Sequence, residues 1–129
     1  MTANPSPKTI LVVEDEAALQ EVLLEVLTSE GYKVLQGKNG QEGLALALKH
    51  HPDLIILDII MPRMDGMKLL QQLRKDAWGK GVQVMVLTNV SDTKSVYDAM
   101  SYLVDTYFIK SDMDLEDLAQ KVKTQLAKK

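Results

Sequence analysis

Short apolar runs alternate with helical stretches along most of the chain, and this alternation restricts the fold more than any other feature of the sequence. The clearest run, Leu54–Leu57, is typical of a strand buried on both faces of a sheet. Because parallel strands are joined by right-handed crossovers, the alternation predicts a doubly wound α/β fold with a five-stranded parallel sheet. The predicted strands are Thr9–Val13, Lys33–Gln36, Leu54–Asp58, Val82–Thr88 and Tyr107–Ile109.

The intervening helices are predicted from apolar residues that recur at helical spacing. In the first helix, Leu19, Leu23 and Leu27 share one face, and Gly31 follows as a stop signal. A chain of 129 residues suits a single domain, and we assign residues 1–7 to a flexible lead and residues 8–129 to the domain. The predicted helices are Ala17–Glu30, Gln41–His50, one starting near Asp65, one capped by Ser91, and Asp114–Lys128.

Composition argues against several classes of function. A net charge of −3 disfavours direct binding of nucleic acid as the main role. The absence of cysteine excludes disulfides, thiolate metal sites and a cysteine nucleophile. No apolar run approaches the roughly 18 residues that a membrane span needs, and the first residues lack a signal-peptide pattern. We therefore expect a cytoplasmic protein without membrane contact.

Acidic residues follow two of the predicted strands at their carboxyl ends. Asp58 closes the run Leu54–Leu57, and Glu14-Asp15-Glu16 comes directly after the first strand. A single aspartate in this position usually caps the following loop. Two acidic strand ends at one edge of a parallel sheet instead indicate a ligand crevice, since buried charges are costly without a partner.

Thr88 and Lys110 follow two further strands, so that four strand ends carry reactive side chains. Grouped carboxylates must hold a proton or bind a cation, and an all-oxygen ligand set suits Mg²⁺, which often completes its coordination with phosphate. A carboxylate can also act as a nucleophile and form an aspartyl phosphate. A lysine and a hydroxyl would then stabilise the phosphoryl oxygens. The residues therefore predict phosphorylation of an aspartate.

Motifs at these strand ends give the chain a specific resemblance. From Lys8 to Lys128 it resembles the receiver domains of response regulators in two-component phosphorelay signalling. The motifs that carry the resemblance are Ile10-Leu11-Val12-Val13-Glu14-Asp15-Glu16, Asp58-Ile59-Ile60-Met61-Pro62-Arg63-Met64-Asp65-Gly66, Val86-Leu87-Thr88 and Tyr107-Phe108-Ile109-Lys110.

The resemblance implies a flavodoxin-like (βα)5 fold with strand order 2-1-3-4-5, and it implies that Asp58 accepts the phosphoryl group. It also implies a Mg²⁺ site, with Mn²⁺ as a substitute. Asp15, Asp58 and the backbone carbonyl of Ile60 would bind the ion directly, and Glu14 would act through water.

Further roles follow from the same resemblance. Thr88 and Lys110 would contact the phosphoryl group, and Tyr107 would swing inward as Thr88 moves. The donor would be a histidine kinase or a histidine phosphotransfer protein. A separate effector would bind the face formed by the fourth helix, fifth strand and fifth helix, and the sequence leaves open whether phosphorylation also produces a dimer.

The chain departs from the usual receiver pattern at several positions. Ser111 replaces the proline that normally follows the lysine, which favours a trans peptide bond there. Asn89 is larger than the usual residue and would narrow access to the site. The turn around Leu103–Asp105 also differs from the family. Ile60 and Val90 are apolar and cannot orient an attacking water, so we predict slow loss of the phosphoryl group.

Aromatic and histidine side chains receive simpler interpretations. Phe108 is expected in the core. Tyr97, Tyr102 and Tyr107 suit a partner surface, since tyrosine tolerates one wet edge. The pair His50-His51 is expected to end a helix, where a cation is mildly favourable.

Two other functions are compatible with an α/β fold of this kind. An aspartate-nucleophile phosphatase typically needs a second aspartate two residues after the nucleophile, where this chain has Ile60. A flavin- or nucleotide-binding domain needs a phosphate-binding loop after the first strand, where this chain has acids. The favoured interpretation is a signalling domain that assists its own phosphorylation and slow dephosphorylation and is not a turnover enzyme.

Overall fold

The computed structural model describes residues 7–59, 66–88, 101–102, 104 and 106–128. Five parallel strands form one sheet in the order β2-β1-β3-β4-β5, which confirms the predicted doubly wound arrangement. The strands are β1 (Thr9–Val13), β2 (Lys33–Gly37), β3 (Leu54–Asp58), β4 (Gln83–Thr88) and β5 (Thr106–Ile109). The helices are α1 (Ala17–Ser29), α2 (Gly40–His50), α3 (Gly66–Lys75) and α4 (Leu115–Ala127), with a 3₁₀ turn at Lys110–Asp112.

Side chains of the central strands alternate between two apolar cores, one on each face of the sheet. Leu11, Ile55 and Val84 pack with residues of α2 and α3, whereas Val12 and Ile56 pack with residues of α1 and α4. All five residues are fully buried. This pattern explains why the central strands β1, β3 and β4 carry polar residues only at their ends, since both faces of a parallel sheet are covered.

The predicted boundaries within the described residues agree with the observed ones to within one residue. The strand Leu54–Asp58 is found as predicted. The last helix begins at Leu115, because Asp114 is its N-cap and accepts hydrogen bonds from the Glu116 and Asp117 amides. The helix predicted from Ser91 lies outside the described residues. No helix in the described part of the chain is both long and apolar enough to cross a membrane.

Two aromatic rings stack near the amino-terminal edge of the sheet, in the loops that precede β3 and β4. As predicted, His50 ends α2, and His51 follows in the left-handed conformation with φ of 48°. The His51 ring lies 4.3 Å from the Trp78 ring, with only 7° between their planes. Nearby, Asp53 Oδ2 accepts a hydrogen bond from the Thr9 amide at 2.8 Å. These contacts lie at the edge of the sheet opposite to Asp58.

Phe108 lies in the core as expected, with 7% of its surface exposed. The Lys121 ammonium lies 5.3 Å from the centre of the Phe108 ring. This cation–π contact joins α4 to the outer strand β5.

Candidate functional site

Strand register brings the predicted acids together at the carboxyl edge of the sheet. Val13 in β1 pairs with Leu57 in β3, so Glu14 and Asp58, the next residues in each strand direction, are neighbours. Glu14 is 0% exposed and Asp58 is 3% exposed. Asp15 is exposed, and one carboxylate oxygen from each of the three residues lies within 4.8 Å of the others. The three predicted acidic ligands therefore form one cluster.

Lys110 lies across this cluster. Its ammonium nitrogen donates to Asp58 Oδ2 at 2.9 Å and to Glu16 Oε1 at 3.0 Å. The same nitrogen forms an ion pair with Glu14 Oε1 at 2.9 Å. Lys110 begins the 3₁₀ turn directly after β5, and this position carries its side chain over the ends of β1 and β3. The predicted pairing of Lys110 with the acidic edge is present.

Burial and neighbouring charges shift the pKa values of Glu14 and Lys110. Burial raises the pKa of Glu14 to about 7, and the negative charge of Asp58 adds to this effect, while the Glu16 amide and Lys110 oppose it. Burial alone would lower the pKa of Lys110, but the Asp58, Glu14 and Glu16 carboxylates raise it above its ordinary value. Lys110 is therefore a permanent cation beside a glutamate that titrates near neutral pH.

Thr88 lies at the same edge, at the end of β4. Asp58 pairs with Leu87 in the sheet, and the Ile59 amide donates to the Leu87 carbonyl at 3.2 Å. Thr88, one residue further, is 2% exposed. This register places Thr88 at the end of β4, one residue beyond the level of Asp58 in the neighbouring strand.

Tyr107 lies in β5, where it pairs with Val86. It is 43% exposed, whereas the adjacent Phe108 is buried. The alternation of side chains along a strand therefore directs Tyr107 away from the core in this conformation.

The carboxylate cluster has the chemistry of a magnesium site. All of its ligand atoms are oxygens, which a hard cation prefers. Glu14 Oε1 is buried and accepts no hydrogen bond from the described residues, although Lys110 lies close to it. Lys110 shares its single charge among Glu14, Glu16 and Asp58, so a second cation would offset the remaining negative charge, and Glu14, Asp15 and Asp58 fit the ion that the resemblance implies.

Two residues at this edge were not identified from the sequence. Glu16 belongs to the acidic run in the sequence, but its contact with Lys110 depends on the position of β5. Gln20 is 6% exposed and hydrogen bonds to the main chain of the acidic turn. A signal for Gln20 was present, because it lies three and seven residues before Leu23 and Leu27, on the buried face of α1.

Several predicted positions cannot be compared with the structure. Ile60, Asn89 and Val90 lie outside the described residues, and so do two of the residues in the turn around Leu103–Asp105. The peptide bond between Lys110 and Ser111 is trans, as expected; no cis peptide bond occurs among the described residues.

Comparisons with known proteins identify similar domains. Residues 10–123 match the family described as "Response regulator receiver domain". The chain is 35% identical over 117 residues to the response regulator ArlR of Staphylococcus aureus strain Mu50, covering 91% of this chain and 52% of the relative. It is 36% identical over 101 residues to the probable transcriptional regulator ycf27 of Porphyra purpurea, covering 78% and 40% of the two chains. The chain therefore spans about half the length, or less, of these curated relatives.

Solved structures show the same fold. A putative response regulator from Chloroflexus aurantiacus superposes with a TM-score of 0.87 and 30% identity, covering 95% of this chain and 99% of that one. The signal receiver domain of a histidine kinase from Syntrophus aciditrophicus superposes with a TM-score of 0.84 and 32% identity, covering 93% and 90%. Both similarities extend over nearly the whole domain.

Proposed function

Since the chain belongs to the response regulator receiver domain family of two-component signalling, we propose that Asp58 accepts a phosphoryl group in a Mg²⁺-dependent reaction. The observation that carries this proposal is the direct contact between Lys110 and the buried Asp58 carboxylate inside the acidic cluster. A buried nucleophile held beside a cation is suited to attack a phosphoryl group whose negative charge that cation also neutralises.

In this mechanism an oxygen of Asp58 forms a bond to phosphorus as the bond between phosphorus and the donor nitrogen or oxygen breaks. Lys110 stays protonated throughout and transfers its contact from Asp58 to an oxygen of the phosphoryl group. The Thr88 hydroxyl donates to a second phosphoryl oxygen. These contacts stabilise the charge of the transferring group, which is the main contribution a protein makes to such a reaction.

The ion would be held by Asp15, Asp58 and the backbone carbonyl of Ile60, with Glu14 acting through water. When bound, Mg²⁺, or Mn²⁺ in its place, adds positive charge next to the phosphoryl oxygens. The clustered carboxylates support this assignment, because one lysine neutralises only part of their combined charge.

The output of phosphorylation is a shift between two conformations. Thr88 moves toward the phosphoryl group and leaves space behind it, and Tyr107 turns from its exposed position into that space. The change alters the face formed by the helix predicted from Ser91, β5 and α4, where an effector protein binds. The domain acts as a cytoplasmic switch that is phosphorylated by a histidine kinase or histidine phosphotransfer protein, and it does not turn over substrate.

The proposal is tested by incubating the protein with Mg²⁺ and a small acyl-phosphate donor and measuring intact mass. We expect one stable phosphoryl group per chain, lost in Asp58→Asn and without Mg²⁺. Asp53→Asn is the matched control, because Asp53 precedes the same strand at the opposite edge of the sheet. Continuous release of phosphate over many turnovers would indicate a phosphatase, and a bound chromophore would indicate a flavin protein. Either result, or normal labelling of Asp58→Asn, contradicts the proposal.

A further inference from the structure

Gln20 makes an unusual set of hydrogen bonds beneath the acidic turn. Its Nε2 atom lies 2.8 Å from the Gly37 carbonyl, 3.0 Å from the Val12 carbonyl and 3.1 Å from the Glu14 carbonyl. These oxygens belong to the ends of two neighbouring strands and to the first residue after one of them. A single buried amide therefore joins α1 to the carboxyl ends of β1 and β2.

The strand ends that Gln20 joins also contact each other. The Glu14 amide donates to the Gly37 carbonyl at 3.0 Å, so this oxygen accepts from both Glu14 and Gln20. Gly37 packs closely against α2, since a Cβ atom at this position would lie only 2.9 Å from the Gly43 Cα. The main chain of Glu14 is thus held against a closely packed part of the fold, both by its own amide and through Gln20.

The orientation of the Gln20 amide is determined by its neighbours. Its Oε1 atom accepts a hydrogen bond from Gln36 Nε2 at 3.1 Å. The reverse orientation would direct Oε1 at three carbonyl oxygens, which cannot donate to it. Gln36 and the three carbonyls therefore select the donor orientation of Gln20.

We propose that Gln20 is a positioning residue for the cation site, because it fixes the main chain from which Glu14 and Asp15 present their carboxylates. The inference rests on the Mg²⁺ binding in the proposed function but not on phosphorylation itself. Ligands held by weaker outer contacts bind metal less tightly, typically by about 10- to 100-fold. Gln20 touches neither ion nor phosphoryl group and acts only through the acidic turn.

The surroundings of Gln20 allow informative substitutions. A cavity of about 390 Å³ lies beside Gln20 and is bordered by Glu14, Asp15 and Gln36. Gln20→Met keeps the length of the side chain but removes the donors. Gln20→Arg restores donors, and the cavity has room for its greater length. Gln125→Met is the matched control, because Gln125 is also 6% exposed and hydrogen bonded, but to Gln83 at the amino-terminal end of β4.

The test is calorimetric titration of the wild type, Gln20→Met and Gln125→Met with Mg²⁺ alone. We expect Gln20→Met to raise the dissociation constant at least about tenfold, with Gln125→Met within about threefold of the wild type. Gln20→Arg is assessed by hydrogen exchange alone, because its added positive charge would itself repel Mg²⁺. A second measurement uses the metal-free protein: amide hydrogen exchange at Glu14 should accelerate in Gln20→Met and not in Gln20→Arg or Gln125→Met.

The outcomes separate this inference from its premise. Equal Mg²⁺ affinities in wild type and Gln20→Met, or equal losses in Gln20→Met and Gln125→Met, would overturn the role of Gln20. If Gln20→Met does not fold, Gln20→Arg decides the question, since accelerated exchange of the Glu14 amide in the metal-free protein despite the restored donors also overturns it. The expected order of affinities in a protein whose Asp58 is never phosphorylated would support the inference and contradict only the proposed function.

Discussion

Lys110 shows how one side chain can organise an otherwise repulsive site. It supplies a single positive charge to the Asp58, Glu14 and Glu16 carboxylates, all within 3.0 Å of its nitrogen. The exposed pair with Glu16 adds little stability by itself. The buried pairs matter more, because removing Lys110 would leave two carboxylates buried without a compensating cation. Replacing the usual proline with Ser111 has not prevented Lys110 from reaching Asp58.

At the residue scale, we predict slow loss of the phosphoryl group, because Ile60 and Val90 cannot orient water by hydrogen bonding. Ile60→Asn and Val90→Glu should each accelerate the loss of the phosphoryl group by at least about tenfold. This acceleration is smaller than the ~10²–10⁴-fold that a positioned general base contributes. The measurement is decay of phosphorylated protein after the donor is removed. Leu48→Glu, a change at an exposed position of α2, controls for the added charge. Unchanged decay in both variants would refute the explanation.

The positions of strands and helices were largely predictable, and the reason is the pattern of burial. A fully buried parallel strand such as Leu54–Asp58 leaves an uninterrupted apolar signal that ends where the sheet ends. The signal weakens at glycine, so Gly37 was missed at the end of β2 and Gly40 at the start of α2. The contact of Glu16 with Lys110 depends on side-chain directions across 94 residues of sequence, which a periodic pattern does not contain.

At the scale of the elements, the approach of α3 to β3 predicts that alanine in place of Gly66 destabilises the domain. The Gly66 amide donates to the Ile59 carbonyl at 2.6 Å, and a Cβ atom would lie 2.6 Å from Ile59 Cα and collide with the Asp58 carbonyl. Helix propensity alone would favour alanine by about 1 kcal/mol. We expect Gly66→Ala instead to lower the free energy of unfolding by about 1–3 kcal/mol and to impair phosphorylation.

Urea denaturation measures this effect, and Gly81→Ala is the matched control. No atom lies within 4 Å of a Cβ at Gly81, and its φ is not in the left-handed region. A Gly66→Ala protein that is as stable as Gly81→Ala would show that α3 can move away from the end of β3 without cost.

For the molecule as a whole, the alternation of elements predicted the class of sheet, whereas the strand order came from the resemblance. Right-handed crossovers permit several orders, and helix positions relative to the two faces do not choose among them. The observed order places β1 and β3 side by side at the centre, and this neighbourhood brings Glu14 to Asp58. The site thus follows from sheet order, while its supporting hydrogen bonds follow from packing.

The raised pKa of Glu14 makes the stability of the whole domain depend on pH. Its folded pKa of about 7 exceeds the ordinary value of 4.5, so the folded state binds the proton more tightly. The resulting stability is fully present below about pH 4.5 and is lost as the pH rises through about 7. Without Mg²⁺, this group should therefore cost the protein about 2–3 kcal/mol between pH 5 and pH 8.

Chemical denaturation of wild type and Glu14→Gln across this range tests the prediction. Glutamine resembles the protonated acid, so the variant should gain stability relative to wild type as pH rises. Saturating Mg²⁺ should stabilise the wild type most at pH 8, because it binds the folded state and Glu14 is then ionised. Parallel pH curves for the two proteins in metal-free buffer would show that Glu14 ionises normally.

Trp78 gives the protein a built-in optical probe with a defined location. It is the only tryptophan in the chain. It stacks on His51 near the amino-terminal edge of the sheet, while Asp58 ends the five-residue strand β3 at the other edge. A strand of that length spans about 17 Å. The emission of Trp78 therefore reports on unfolding but is insulated from direct quenching at the phosphorylation site. Any change in emission upon phosphorylation would be a signal carried across the full height of the sheet.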